Sequence, residues 1–179
     1  MKNVTFGSYV DLHKGEKALV CGNGYSIREK DPGFYYGWDG PTYGVNRIRY
    51  WFDDPTYYFN IYTIQDSMCH AGKRIWFDWN RRANKVDMFK TGCLSINTIG
   101  LTAITAAFQM GCSEIHLIGI DFSPSPDGYI YFYNKNKSGH YFRERKEPQM
   151  LSTMNRAIND MKSCGVKFYN HSPYSKVEV

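Results

Sequence analysis

The sequence predicts an α/β fold with a parallel sheet, and three features indicate it. An apolar run at 17–21 leads directly into a Gly-Asn-Gly turn, which is typical of a buried strand followed by a sharp turn. A helical pattern over 97–110 is followed at once by an apolar strand at 114–121. A second amphipathic pattern at 150–161 leads into a last strand at 166–169. Because strands and helices alternate, we expect a Rossmann-like, three-layer domain with helices on both faces of the sheet.

Two further strands are predicted between the glycine turn and the main helix. Residues 42–45 and 56–59 are rich in β-branched and aromatic side chains, and Asn46 and Asn60 follow them. Weaker strand candidates lie at 74–77 and 86–89. Cap-type residues that end in Thr98 precede the main helix, whose apolar side chains recur at helical spacing.

Residues 122–148 have no regular period and contain several prolines and glycines. A structureless stretch of this length in a compact domain is usually functional or mobile. It directly follows the carboxyl end of a predicted strand. We therefore expect a lid over 122–148 that becomes ordered over a bound ligand.

Length and composition indicate one globular domain, 1–179, with 42% hydrophobic residues. The formal net charge of +5 favours small anionic ligands such as nucleotides and is too low to argue for nucleic acid. The 5 cysteines form no C-x-x-C pair, so they predict neither a disulfide framework nor a zinc site. We find no signal peptide and no apolar run as long as a membrane span, and we expect a cytoplasmic protein with reduced thiols. The oligomeric state does not follow from the sequence.

Polar residues stand where the predicted parallel strands end. Asn23, Asn46 and Asn60 each come just past a strand, and such strand ends share one edge of a sheet. Their amides suit ribose hydroxyls, a base edge or phosphate oxygens. Thr98 and Gly100 open the main helix, whose N-terminus is a natural phosphate site. Each of these residues also has an ordinary explanation as a local turn or a helix cap.

The glycine turn, Gly22 and Gly24, lets the backbone come close to a ligand, although Gly-Asn-Gly is also an ordinary turn. His140, in the long stretch, is a candidate general base, and His171 after the last strand is a second candidate. Asp121 ends a predicted strand, where it could bind a metal or orient a loop. No cluster of residues predicts a metal site, so we expect no metal cofactor.

Five short segments carry a resemblance to a known family. They are Gly22-Asn-Gly-Tyr-Ser26, Tyr43-Gly-Val-Asn46, Tyr57-Tyr-Phe-Asn60, Thr98-Ile-Gly100 and Ser113-Glu-Ile-His-Leu-Ile-Gly-Ile-Asp-Phe122. In order and placement they resemble the bacterial sialyltransferases of glycosyltransferase family 42. The glycine turn and the helix–strand unit are also similar to the archaeal 6-hydroxymethylpterin diphosphokinase-like proteins.

The resemblance to the sialyltransferases implies a metal-independent glycosyltransferase that uses a CMP-sugar donor and a glycan or small-molecule acceptor. It implies that a cytidine nucleotide is held by Asn23, Asn46, Asn60, Thr98 and Gly100. The family steadies the departing phosphate with two loop tyrosines and uses a histidine base, which here would be His140.

Tyr129 falls where the second family tyrosine would lie, and Ser123 stands where the first would. Two other interpretations stay open. A diphosphokinase-like enzyme would bind ATP and a pterin, with Mg²⁺ held by Asp121. A nucleotide-binding protein without catalysis would need neither the tyrosines nor the histidine.

Overall fold

The computed structural model describes residues 9–60, 75–78, 98–133 and 140–179. Within these residues the strands are β1 (Lys17–Cys21), β2 (Thr42–Val45), β3 (Tyr57–Asn60), β4 (Ile75–Asp78), β5 (Glu114–Ile118) and β6 (Lys167–Asn170). The α-helices are α1 (Pro32–Tyr36), α2 (Ile99–Gln109) and α3 (His140–Ser163). Short 3-10 helices over Tyr25–Glu29 and Asn46–Tyr50 follow β1 and β2.

The strands form one sheet in the order β4-β3-β2-β1-β5-β6, and every neighbouring pair is parallel. The order runs outward in one direction from β1 to β4 and in the other from β5 to β6. The topological switch point therefore lies between β1 and β5, where open parallel sheets bind ligands beyond the carboxyl ends of the strands. The predicted α/β, Rossmann-like class is confirmed.

Alternating side chains of β1 fill two separate cores, one on each face of the sheet. Ala18 and Val20 pack with α2 and α3, whereas Leu19 and Cys21 pack under α1 and the two 3-10 helices. All four side chains are fully buried. This explains the unbroken apolar run at β1, because a strand covered on both faces has no polar side.

Helix α2 begins as the sequence predicts. Thr98 is its N-cap, and the Thr98 hydroxyl accepts a hydrogen bond of 3.1 Å from the amide of Leu101. Most of the helix is buried, because it packs across β1, β2 and β3. Its other end meets the chain just before β1, where the amide of His13 donates to the carbonyl of Met110 at 2.7 Å.

Three predicted boundaries are corrected. Strand β5 ends at Ile118 rather than at residue 121, because Gly119 takes a φ of +70° and turns the chain. Helix α3 begins at His140, so the irregular stretch does not extend to 148. The helix continues through Pro148, which the sequence pattern treats as a breaker. The strand candidate at 86–89 lies outside the described residues.

Candidate functional site

The carboxyl edge of the sheet brings the predicted binding residues to one side of the molecule. Asn46 follows β2 directly, Asn60 ends β3, and Asn23 lies two residues beyond β1. Since these strands are parallel neighbours, the three asparagines share one edge. The N-terminus of α2 is at the same edge, because its C-terminus meets the residues that precede β1.

The side chain of Ile120 lies between the glycine turn and the start of α2. A Cβ atom built on Gly100 would lie 3.5 Å from Cδ1 of Ile120, and one built on Gly22 would lie 2.9 Å from its Cγ1. The first turn of α2 and the loop after β1 therefore border the same side chain. This places Gly100 near Gly22, the residue before Asn23, at the switch point of the sheet.

Gly22 and Gly24 are required by packing within the protein. A Cβ atom on Gly22 would overlap the carbonyl oxygen of Gly119, and one on Gly24 would overlap the carboxylate of Asp121. The amide of Gly22 donates to the carbonyl of Ile118, the last residue of β5, and the amide of Gly24 donates to the carbonyl of Gly119, at 2.7 Å each. At these two positions the chain itself makes a close approach, which gives both glycines a structural reason besides the predicted ligand contact.

Asp121 anchors the loop after β1. Its carboxylate accepts hydrogen bonds from the amide of Ser26 at 2.9 Å and from the Ser26 hydroxyl at 2.6 Å. That hydroxyl in turn accepts from the amide of Gly119 at 2.9 Å. Asp121 and Ser26 are both buried. Both carboxylate oxygens are therefore engaged, and Asp121 has the loop-orienting role that the sequence allowed.

Asn23 has an unsatisfied polar atom at this edge. Its amide oxygen Oδ1 is buried, and within the described part of the chain no group donates to it. Its backbone carbonyl accepts from the amide of Phe132 at 3.2 Å, which fixes the loop that carries it. Buried polar atoms are nearly always paired in native proteins, so a lone buried acceptor indicates a missing donor.

Asn46 has a conformational reason to be an asparagine. Its φ is +50°, a left-handed value that asparagine tolerates better than most residues. It is buried, and its backbone carbonyl accepts a hydrogen bond from the hydroxyl of Tyr58. Its place in a local turn is therefore enough to explain the backbone conformation of Asn46.

Asn60 lies beside Asp78 in the register of β3 and β4.

Tyr129 lies in a tight turn next to two other tyrosines. The Ser125 amide donates to the Tyr129 carbonyl at 2.7 Å, and the Tyr129 amide donates to the Ser125 hydroxyl at 3.0 Å. The Tyr129 ring stacks on that of Tyr25 with ring centroids 5.2 Å apart. The ring centroids of Tyr25 and Tyr174 are 6.3 Å apart. Ser123 donates its hydroxyl proton to the carbonyl of Tyr174.

The segment that carries Tyr129 continues alongside the glycine loop. Tyr131 forms an isolated antiparallel bridge with Gly24. Beyond it, the ring of Tyr133 lies under the guanidinium of Arg47, 4.8 Å from the ring centroid. Sequence reasoning missed this arginine, although it directly follows Asn46. Its charge adds a cation to the edge where an anionic ligand is expected.

The two candidate bases occupy different places. His140 is the first residue of α3. His171 follows β6, and its Nε2 lies 2.9 Å from Nδ1 of His116 in a hydrogen bond. Phe34 and Trp38 pack edge-on against this histidine pair. His171 is therefore committed to an aromatic cluster under α1.

The histidine pair makes a pH prediction. Burial lowers the pKa of both His116 and His171 below the ordinary value of 6.5. The nearby charge of His171 further lowers the pKa of His116, and the charge of Lys30 further lowers the pKa of His171. Below about pH 6.5 these two histidines bind protons more readily in the unfolded chain than in the folded one, so acid favours unfolding. We therefore expect the melting temperature to fall as the pH drops from 7.5 to 5.5.

A variant separates this effect from other titrations. His171→Gln removes one titrating ring, so its melting temperature should depend less steeply on pH over the same interval. Scanning fluorimetry in buffers of matched ionic strength measures both slopes. An unchanged slope in the variant would show that the pair does not control this dependence.

The described residues hold no group of three or more His, Cys, Asp and Glu side chains placed to bind a metal ion. None of the described helices combines the length and apolarity needed to cross a membrane. Cys21 and Cys112 are buried core residues with free thiols, and burial raises the pKa of Cys112 to about 11.

Comparison with known proteins gives matches among solved structures. The sialyltransferase CST-II bound to a trisaccharide acceptor and CMP superposes with a TM-score of 0.56 at 18% identity, over 90% of this chain and 83% of that one. The CstII sialyltransferase of Campylobacter jejuni bound to cytidine-5'-monophosphate gives 0.56 at 18% identity, over 91% and 82%. The fold is that of these sialyltransferases. No family model matches the sequence, and no curated protein matches it either.

Proposed function

We propose that this protein is a sialyltransferase-like glycosyltransferase that binds a CMP-sugar at the carboxyl edge of its sheet and needs no metal. Two independent lines support it. The five sequence segments resemble family 42 glycosyltransferases, and the fold matches sialyltransferases solved with CMP. The observation that carries the proposal is the buried amide oxygen of Asn23 at the switch point, which no described residue pairs with.

A cytidine nucleotide has the donors that this oxygen lacks. The exocyclic amine of cytosine and the ribose hydroxyls can each donate one hydrogen bond to an amide oxygen. Asn46 and Asn60 end the two neighbouring strands and are the other amide-bearing candidates at this edge. In this proposal the three asparagines orient the nucleoside, and Gly22 and Gly24 hold the Asn23 loop in place.

The phosphate of the donor belongs at the start of α2. Thr98 already caps the amide of Leu101, so the amides of Ile99 and Gly100, earlier in the first turn, are the natural anion donors. The helix dipole adds a partial positive charge there. Ser123 stands where the first family tyrosine would, so we also propose it as a binding residue for the donor; its hydroxyl donates to the backbone carbonyl of Tyr174.

In the proposed reaction, the hydroxyl of Tyr129 stabilises the phosphate oxygen that gains charge as the sugar leaves. His140 takes the proton of the attacking acceptor hydroxyl. Because hydrogen-bond donors stabilise the leaving group, a divalent cation is not required for that step. The acceptor is a glycan or a small sugar-like molecule.

The test is a CMP-release assay with CMP-N-acetylneuraminic acid and a panel of glycan acceptors, alongside thermal shifts with CMP, UMP, GDP and ATP. We expect CMP to raise the melting temperature more than the other nucleotides. We also expect CMP release to be unchanged in EDTA. Preference for ATP with Mg²⁺ would favour the diphosphokinase-like alternative, and binding of CMP without turnover would favour a non-catalytic protein.

Two variants locate the site in the same assay. Gly100→Ala places a methyl group in ordinary contact, 3.5 Å from Ile120, and should leave the melting temperature unchanged or higher, since alanine favours helix. It should nevertheless weaken CMP binding if a phosphate approaches that backbone. Asn23→Ala should weaken CMP binding by about tenfold, the effect of one lost hydrogen bond. Unchanged CMP affinity in both stable variants would remove the nucleotide from this edge.

A further inference from the structure

Tyr25 lies at the junction of the two loops on which the proposed function depends. It opens the 3-10 helix that follows the glycine turn, two residues after Asn23. The chain is fixed on both sides of it. Gly24 forms the bridge with Tyr131, and Ser26 is bound through its amide and its hydroxyl to Asp121. The side chain of Tyr25 is therefore half-buried, and hydrogen bonds on both sides of it fix the position of its backbone.

The ring of Tyr25 stacks on the ring of Tyr129. The centroids are 5.2 Å apart and the planes differ by 25°. This is the offset-stacked arrangement that aromatic pairs prefer. Two phenol groups thus lie side by side, one from the loop after β1 and one from the segment after β5, across the switch point of the sheet.

Two nearby hydroxyls, those of Ser123 and Tyr174, already donate hydrogen bonds within the protein. Ser123 donates to the carbonyl of Tyr174, and the Tyr174 hydroxyl donates to Oε1 of Glu29 at 2.9 Å. Tyr25 differs from both, because no residue that the structure describes forms a hydrogen bond with its hydroxyl. Its proton is therefore available for a hydrogen bond to a ligand.

We propose that Tyr25 is a second hydrogen-bond donor to the departing phosphate, acting beside Tyr129. The inference rests on the proposed function, since that function places a CMP-sugar at Asn23 and its phosphate near Tyr129. A nucleotide held at Asn23 has its phosphate within reach of a side chain two residues away, because two residues span about 7 Å of chain.

The step that Tyr25 assists is balanced as follows. The bond between the anomeric carbon of the sugar and the phosphate oxygen breaks, and its electron pair stays on that oxygen to give CMP. The acceptor oxygen forms the new bond to the anomeric carbon, and its proton goes to the base. Tyr25 keeps its proton and shares it in a hydrogen bond that strengthens as negative charge grows on the phosphate.

Tyr25→Phe tests the proposal, because it removes the hydroxyl and keeps the stacked ring. We expect kcat for CMP release to fall about 10²-fold, the usual cost of one preorganised donor, with a small change in the KM of the donor. Tyr174→Phe is the matched control, since its hydroxyl is bound to Glu29 and its kcat should stay within about twofold of wild type. Both variants should keep the wild-type melting temperature to within a few degrees.

The double variant Tyr25→Phe/Tyr129→Phe gives a further readout. If both hydroxyls act on one phosphate oxygen, the two losses should not multiply, as expected for groups that act together. Tyr25→Phe with wild-type kcat, measured on an active wild-type enzyme, overturns this inference and leaves the proposed function intact. A wild-type protein that releases no CMP from any donor overturns the proposed function, and the role of Tyr25 falls with it.

Discussion

His140→Ala is expected to lower the rate of CMP-sugar transfer by about 10²- to 10⁴-fold, the usual contribution of a general base. The affinity for CMP should hardly change, because the base acts on the acceptor hydroxyl and not on the nucleotide. The measurement is kcat for CMP release at saturating donor and acceptor, together with CMP binding by calorimetry. The effect should appear in kcat, since a proton transfer counts only in the transition state.

His171→Ala is the comparison that makes this result specific. The ring of His171 is bound to His116 and surrounded by aromatic side chains, so its loss should lower stability and leave kcat nearly unchanged. The reverse pattern, a large loss of kcat in His171→Ala and none in His140→Ala, would assign the role of the base to His171. If neither variant affects turnover, neither His140 nor His171 is the general base.

Local sequence patterns were enough to locate the strands that are buried on both faces and the helix that buries one clear apolar face. Strands β1 and β2 and helix α2 lie where the apolar patterns put them, and Thr98 caps the helix as its residue type predicts. The start of α3 was missed because Pro148 and the charged residues before it hide the helical period. Proline lowers the helix propensity at one position, but packing of the remaining turns can still outweigh it.

The candidate site was predictable only to the level of the sheet edge. Because parallel strands end at one edge, Asn23, Asn46 and Asn60 could be placed together from spacing alone. The contacts that shape the site join residues far apart in the chain, such as Ser26 with Asp121 and Gly24 with Tyr131. No local pattern encodes such pairs. For the same reason the sequence could not decide between a ligand and an ordinary turn at Gly22 and Gly24, whose close neighbours are the residues that follow β5.

Asp121→Ala is expected to give the largest loss of stability of the variants considered. It leaves the amide and the hydroxyl of Ser26 buried without their acceptor, and each charged hydrogen bond of this kind contributes about 1.5–3 kcal/mol. We expect the free energy of unfolding to fall by about 3 kcal/mol, and the melting temperature by about 6–12 °C. Urea unfolding followed by fluorescence measures the change.

The same variant distinguishes a structural aspartate from a metal ligand. If Asp121 holds the loop after β1, its loss should also weaken CMP binding, because Asn23 sits in that loop, and added Mg²⁺ should make no difference. Asp127→Ala, at an exposed position of the segment after β5, is the control and should change stability by no more than about 0.5 kcal/mol. A stable Asp121→Ala protein that loses only Mg²⁺-dependent ATP binding would contradict this role. That outcome would mean that the carboxylate turns away from Ser26 to bind a cation, and the site would then be suited to phosphoryl transfer from ATP rather than to transfer from a CMP-sugar.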